Sequence, residues 1–209
     1  MTNPGLFIVA GPNGAGKSLF SKELTVTELE VFDGDKHMTA LMKKYPETGS
    51  EALLSYINEN IFTQEKQKAL ASRLNYAFET NFSSNDPMET AREFKSAGYD
   101  IHLLFMGLDI LNDSIQRVSY RVRKGGHRVS EDSIRFNYEF GFKNLYTYVT
   151  EFDSVTLFDN GIALSEYELV IPQKILHIES GRVFIRTKDY PAWAKPVIEQ
   201  YQDVIYSFE

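Results

Sequence analysis

The sequence predicts an α/β fold: a parallel sheet with helices on both faces and a small antiparallel extension at the C-terminal end. Three observations carry that expectation. Apolar runs rich in β-branched and aromatic residues alternate with stretches of helical periodicity. The runs lack a strict in–out alternation, which is the pattern of strands buried on both faces. The first of them, LFIVA, leads directly into GPNGAGKS, a glycine-rich turn followed by an amphipathic stretch.

In chain order, the predicted strands are Leu6–Ala10, Leu29–Asp33, Leu74–Thr80, Ile101–Leu108 and Ser154–Phe158. Between them, helical patterns cover Lys17–Leu24, a long stretch from Glu51 to Arg73, Pro87–Ala97, Asn112–Arg123 and Glu131–Tyr148. Asn85-Asp86 before Pro87 offers an N-cap with a first-turn proline, and Ser130-Glu131-Asp132 a hydroxyl cap with acids behind it. Gly98 is a natural helix stop. Beyond residue 160 the pattern changes. Glu168–Ile171, Ile175–Glu179 and Arg182–Thr187 read as short strands, Glu179-Ser180-Gly181-Arg182 as a hairpin turn, and Pro191 to about Asp203 as a closing helix. This divides the chain into a core at 1–165 and an extension at 166–209 packed on it.

Composition narrows the function. A length of 209 residues suits one α/β domain, and 43% hydrophobic residues are enough to fill its core. Cysteine is absent, which excludes a disulfide scaffold, thiol catalysis and a thiolate zinc site, and agrees with a cytoplasmic location. No run approaches the length of a membrane span, and MTNPG lacks the regions of a signal peptide, so no membrane role is expected. A formal charge of -7 argues against a general nucleic-acid coat. The exception is the stretch from Arg117 to Arg128, where Arg117, Arg121, Arg123, Lys124 and Arg128 occur without an acid. A basic island in an acidic chain suits a small, concentrated anion.

GPNGAGKS points to a nucleotide's phosphates as that anion. It fits G-x-x-x-x-G-K-[ST] between a strand and a helix, so Gly11, Pro12, Asn13, Gly14, Ala15, Gly16, Lys17, Ser18 and Leu19 form a nucleotide cradle. The glycines allow backbone N–H groups to converge on phosphates. Lys17 is expected at the β- and γ-phosphates and the Ser18 hydroxyl on Mg²⁺. ATP and magnesium are therefore the expected cofactors. The cradle alone leaves hydrolysis, switching and transfer open. No LSGGQ-like signature lies between Glu51 and Asp159, and no N-K-x-D tetrapeptide occurs, so a small kinase is the reading that remains.

Such an enzyme needs a base, a substrate clamp and an arginine lid. Phe32-Asp33-Gly34-Asp35 ends the second strand, where ligands of open α/β sheets collect. Asp35 is the candidate base, with Asp33 as its rival and a plain Asp-Gly turn as the structural alternative. Glu79 and Thr80 end the third strand and are candidates for the substrate. Asp109 after the fourth apolar run is a weaker candidate for the metal. Arg117 and Arg121, four apart, share a helix face, and Arg128 lies past the Gly125-Gly126 pair. A hinged arginine fork suits transferring charge. His127 reads as part of that loop's own structure. The aromatic residues from Phe136 to Phe152 read as packing for the helix that carries them.

GPNGAGKS, FDGD, FETNFSS, GYDIHLLFMGL, QRVSYRVRKGGHRVSEDSIRFNY and VTLFDN, in that order, resemble the zeta-toxin-like kinases over residues 6 to about 160. The resemblance implies a P-loop kinase fold with strand order 2-3-1-4-5. It implies Asp35 as catalytic base, Lys17 on the phosphates, Ser18 on magnesium, Glu79 on the substrate, and Arg117 and Arg128 near the transferring phosphate, with Arg121 beside them. It further implies a small-molecule acceptor of the UDP-N-acetylglucosamine kind and an antitoxin as protein partner. The chain departs from the family at Phe136-Asn137, where relatives often carry an arginine, and at Lys36-His37-Met38 after the aspartate. The alternative from another class is an NTP-hydrolysing switch or assembly module that acts on a protein partner.

Overall fold

The computed structural model describes residues 3–26, 29–126, 128–161, 171–185 and 188–201. Among the described residues, seven strands form one sheet in the order β2-β3-β1-β4-β5-β6-β7. The five strands β1 (Gly5–Ala10), β2 (Val31–Phe32), β3 (Tyr76–Thr80), β4 (Asp100–Gly107) and β5 (Ser154–Asp159) are parallel. The expected order 2-3-1-4-5 is therefore present. The sheet is larger than those five strands: β6 (Gln173–Glu179) pairs antiparallel with β5, and β7 (Arg182–Ile185) antiparallel with β6. Ser180 and Gly181 both have positive φ, 50° and 73°, as a two-residue hairpin turn requires. The expected strand at Glu168–Ile171 falls mostly outside the described residues, and Ile171 itself is not in a strand.

Each β1 side chain goes to one of two cores. Leu6, Ile8 and Ala10 join a large cluster with Phe78, Phe105, Leu157, Leu176 and Trp193. Val9 points the other way, to Phe20, Leu104, Met106 and Phe158. Both faces of the sheet are thus packed, which is why its strands read as continuous apolar runs. The C-terminal segment contributes to the large cluster through Trp193, Ala194, Val197 and Ile198, on a 3₁₀ turn and the short helix α8 (Lys195–Gln200). A Cβ on Gly107 would fall 2.2 Å from the Trp193 ring, so the indole rests directly on β4.

The helices are α1 (Lys17–Leu24), α2 (Gly34–Lys44), α3 (Ser50–Tyr56), α4 (Thr63–Ser72), α5 (Asp86–Ser96), α6 (Leu111–Arg123), α7 (Glu131–Tyr148) and α8. Three differ from expectation. The strand expected at Leu29–Asp33 shrinks to two residues, because Asp33 is the N-cap of α2 and accepts from Lys36 N at 3.1 Å. The sequence reading missed α2, although Asp35 in its first turn and Lys43-Lys44 in its last are ordinary helix signals. The helix expected over Glu51–Arg73 is interrupted by a π-helical segment, Ile57–Phe62. Its last residue, Phe62, packs on Phe32, Tyr76 and Phe78. Asn85 does not cap α5; its side-chain oxygen accepts instead from the Tyr148 hydroxyl. Ser130 does cap α7, accepting from Ser133 N at 3.1 Å.

Candidate phosphate and acceptor site

The turn between β1 and α1 is built on glycines in backbone conformations that other residues rarely adopt. Gly11, Gly14 and Gly16 sit at φ 142°, 77° and 96°. A Cβ on Gly11 would fall 2.1 Å from the Met106 carbonyl oxygen, so β4 packs against the bare backbone there. The turn is also tied from below. Asn160, at the end of β5, donates from Nδ2 to Ala15 O at 2.8 Å and accepts at its carbonyl from Arg117 at 2.7 Å. A second Arg117 nitrogen lies 3.5 Å from Gly14 O. Arg117 thus underpins the loop, and burial lowers the pKa of its guanidinium. Ser114 adds a hydroxyl bond to Asn13 O.

Lys17 lies across the mouth of the turn. Its ammonium donates to Gly11 O at 2.7 Å, Pro12 O at 3.1 Å and Asn81 Oδ1 at 3.0 Å. Burial lowers its pKa from 10.5 to about 8, against the opposing pull of Glu79, Asp35 and Asp33. Ser18 and Leu19 are exposed at the start of α1. The Ser18 hydroxyl donates to Glu79 Oε2 at 2.6 Å, and Ser21, one turn later, donates to Glu79 Oε1 at 2.8 Å. Burial raises the pKa of Glu79, and those two hydrogen bonds oppose the shift. The hydroxyl and carboxylate oxygens suit a hard divalent cation. Among the described residues no group of three or more His, Asp or Glu side chains could hold a metal, so phosphate and water oxygens would have to complete its shell.

The two aspartates of FDGD separate by environment. Asp33 is buried, caps α2 and lies 3.3 Å from Lys36 Nζ. Asp35 is exposed on the first turn of α2, with Arg121 Nη1 3.9 Å from its carboxylate. Both Asp35 and Arg121 are close enough to act electrostatically on Lys17. The fold therefore gathers Lys17, Ser18, Glu79, Asp35 and Arg121 around one opening. It leaves Arg128 outside that group, exposed and with no hydrogen bond or ion pair among the described residues. His127 lies outside the described residues. Asp109 is exposed, and its charge acts on Tyr138 and Asp159 rather than on Lys17. The Thr80 hydroxyl accepts from Phe82 N at 3.0 Å and so shapes the turn after β3.

Several residues that sequence reasoning passed over complete the opening. Asn137 on α7 donates to Asn13 Oδ1 at 2.8 Å and accepts from the Ser83 hydroxyl at 2.7 Å. It thereby joins the phosphate turn, the loop after β3 and α7. Asn144 donates to Phe82 O and Ser84 O, and Gly141 lets the Asn81 carbonyl approach so closely that a Cβ would fall 2.6 Å away. Residues 137, 141, 144 and 148 recur at helical spacing, the one signal that could have shown this contact face. The other aromatic residues of α7 pack inward as expected, with the exception of Phe136 and Phe140. Those two are exposed and stack on each other at 4.4 Å.

Residues 2–167 match the zeta-toxin family model. An uncharacterized protein of Haemophilus influenzae is 24% identical over 143 residues, covering 66% of this chain and 94% of that protein. A chain from the PezAT chromosomal toxin–antitoxin system of Streptococcus pneumoniae superposes with a TM-score of 0.54 at 17% identity, over 77% of this chain and 69% of that one. A chain of the AvrRxo1-ORF1:-ORF2 crystal structure with ATP gives 0.64 at 13% identity, over 88% and 61%. At these identities the two structures speak to the fold, and the fold is shared.

Proposed function

The chain belongs to the zeta-toxin family of P-loop nucleotide-dependent phosphotransferases, and we propose that it moves the γ-phosphate of ATP to a hydroxyl of a small molecule. The observation that carries this reading is the placement of Asp35. Its carboxylate is exposed at the rim of the opening, beside Arg121 and within electrostatic reach of Lys17. A base in that place can take the acceptor proton as the hydroxyl attacks a phosphate lying on the turn.

In this reading Lys17 leaves Gly11 O, Pro12 O and Asn81 for the β- and γ-phosphates, and the N–H groups of the turn hold the rest of the chain of phosphates. Ser18 holds magnesium, which when bound neutralises charge on the β- and γ-oxygens. Arg121 and Arg128 close over the transferring group, and Arg117 keeps the turn in shape beneath it. ATP is supported by the nucleotide in the AvrRxo1-ORF1:-ORF2 structure. UDP-N-acetylglucosamine is the first acceptor to try, with the cytoplasm as the compartment that supplies both. The toxin–antitoxin origin of the PezAT chain supports an antitoxin as protein partner.

The test is mass spectrometry of the protein incubated with ATP, Mg²⁺ and UDP-N-acetylglucosamine, then with a metabolite extract. Asp35→Asn is expected to slow transfer by about 10²–10⁴-fold with nucleotide binding intact. The second reading, an NTP-hydrolysing switch, draws on the exposed Phe136–Phe140 stack as a contact surface. ATP hydrolysis that yields no phosphorylated acceptor and is indifferent to Asp35→Asn would favour the switch.

A further inference from the structure

Both strands that flank β1 end near a carboxylate. β3 pairs Val9 with Glu79, and β4 pairs Ala10 with Phe105, four residues before Asp109. Only one of the two acids turns toward the start of α1. Glu79 takes the Ser18 hydroxyl on Oε2 and the Ser21 hydroxyl on Oε1, whereas Asp109 is exposed on the side of Tyr138 and Asp159. Ser18 and Ser21 are three residues apart on one helix, so the two bonds fix the plane of the carboxylate as well as its position. Ser21 is 2% exposed, and the Glu79 carboxylate is its side-chain partner.

We infer that Glu79 is the carboxylate of the divalent-cation site and that Ser21 is its positioning residue; this rests on the phosphotransferase reading above. The direction of the Ser18 bond carries the chemistry. Ser18 donates its proton to Glu79, so its oxygen lone pairs remain for a cation. A carboxylate that accepts from a ligand in this way orients that ligand and strengthens it, and also accepts from metal-bound water. The assignment moves Glu79 away from the acceptor and takes Asp109 out of the metal's surroundings.

The experiment is a Mn²⁺ titration of the protein with a non-hydrolysable ATP analogue, read by electron paramagnetic resonance. Nucleotide affinity is measured separately in EDTA. Glu79→Gln is expected to weaken Mn²⁺ binding in the ternary complex by about 10–100-fold, with affinity for the metal-free nucleotide retained. Ser21→Ala is expected to weaken it several-fold, and Asp109→Asn to leave it at the wild-type value. The inference falls if Glu79→Gln binds Mn²⁺ as wild type does while its KM for the acceptor rises, or if Asp109→Asn is the variant that loses the metal. If Glu79→Gln does not fold, Ser21→Ala decides alone: unchanged Mn²⁺ affinity overturns the proposal. Failure of the wild-type protein to bind the nucleotide at all would overturn the phosphotransferase reading as well, so the two failures are distinguishable.

Discussion

The turn at residues 11–18 and the segment at 121–128 both serve the same phosphates in this reading, yet they are built in opposite ways. The turn is wedged between β4 and α6 and tied by Asn160, Arg117, Ser114 and Asn137. The other segment has Gly125 in the open and, in Arg128, an arginine without partners among the described residues. The first region is organised without a ligand, and in the proposed function the second is expected to close when a ligand binds.

Glycine substitutions test that contrast most directly. Gly11→Ala forces a Cβ to within 2.1 Å of the Met106 carbonyl at a φ of 142°. It is expected to destabilise the protein by about 3 kcal/mol or more, read as a fall in Tm of roughly 10 °C. Gly125 has a φ of 89° but nothing within 4 Å of its added Cβ, so Gly125→Ala meets the backbone penalty alone. That is about 1–2 kcal/mol. Equal losses at the two positions would mean that the lid is as tightly built as the cradle.

Asn137→Ala sharpens the comparison from the cradle side. It removes the bonds to Asn13 and Ser83 and leaves the buried Asn13 oxygen without that donor. The expected loss is about 1–2 kcal/mol of stability, with faster amide exchange at residues 81–84, which α7 holds through the same contact face. Exchange that accelerates only around 121–126 would place Asn137 with the lid instead.

What the sequence made legible follows the same division. The phosphate turn could be read because its backbone geometry needs glycine at fixed spacings, and a spacing survives in one dimension. The parallel strands came through as apolar runs bounded by polar segments, and their order came with the family resemblance. The helix α2 was missed because Val31-Phe32 drew the preceding residues into a strand, while Asp33 looked like part of a turn. It is a buried N-cap, shown by the bond it accepts from Lys36 N and by its ion pair with Lys36 Nζ. Asn81, Asn137 and Asn160 were passed over for another reason. None of the three sits in a local cap or turn pattern that announces its bonds, and each role appears only when two distant segments meet across it.

The smallest expected effect concerns the charge at the centre of the cradle. In the free protein Lys17 titrates at about 8, well below the 10.5 of an exposed lysine, because burial disfavours its ammonium. The unfolded chain therefore binds more protons than the native one between about pH 8 and 10.5, and native stability rises with pH across that window relative to Lys17→Met. Nucleotide binding has the opposite sign. Phosphate oxygens need the ammonium, so raising the pH through about 8 makes the free protein less ready to bind them. Affinity for a non-hydrolysable ATP analogue, measured by calorimetry in EDTA, is expected to fall by about eightfold between pH 7.5 and 9. Lys17→Met should bind more weakly throughout and show no such slope. A wild-type profile as flat as the variant's would mean that the three carboxylates around Lys17 hold its proton more firmly than burial loosens it. The cradle would then be charged and ready at every physiological pH, and the difference between the two regions would lie in their backbone alone.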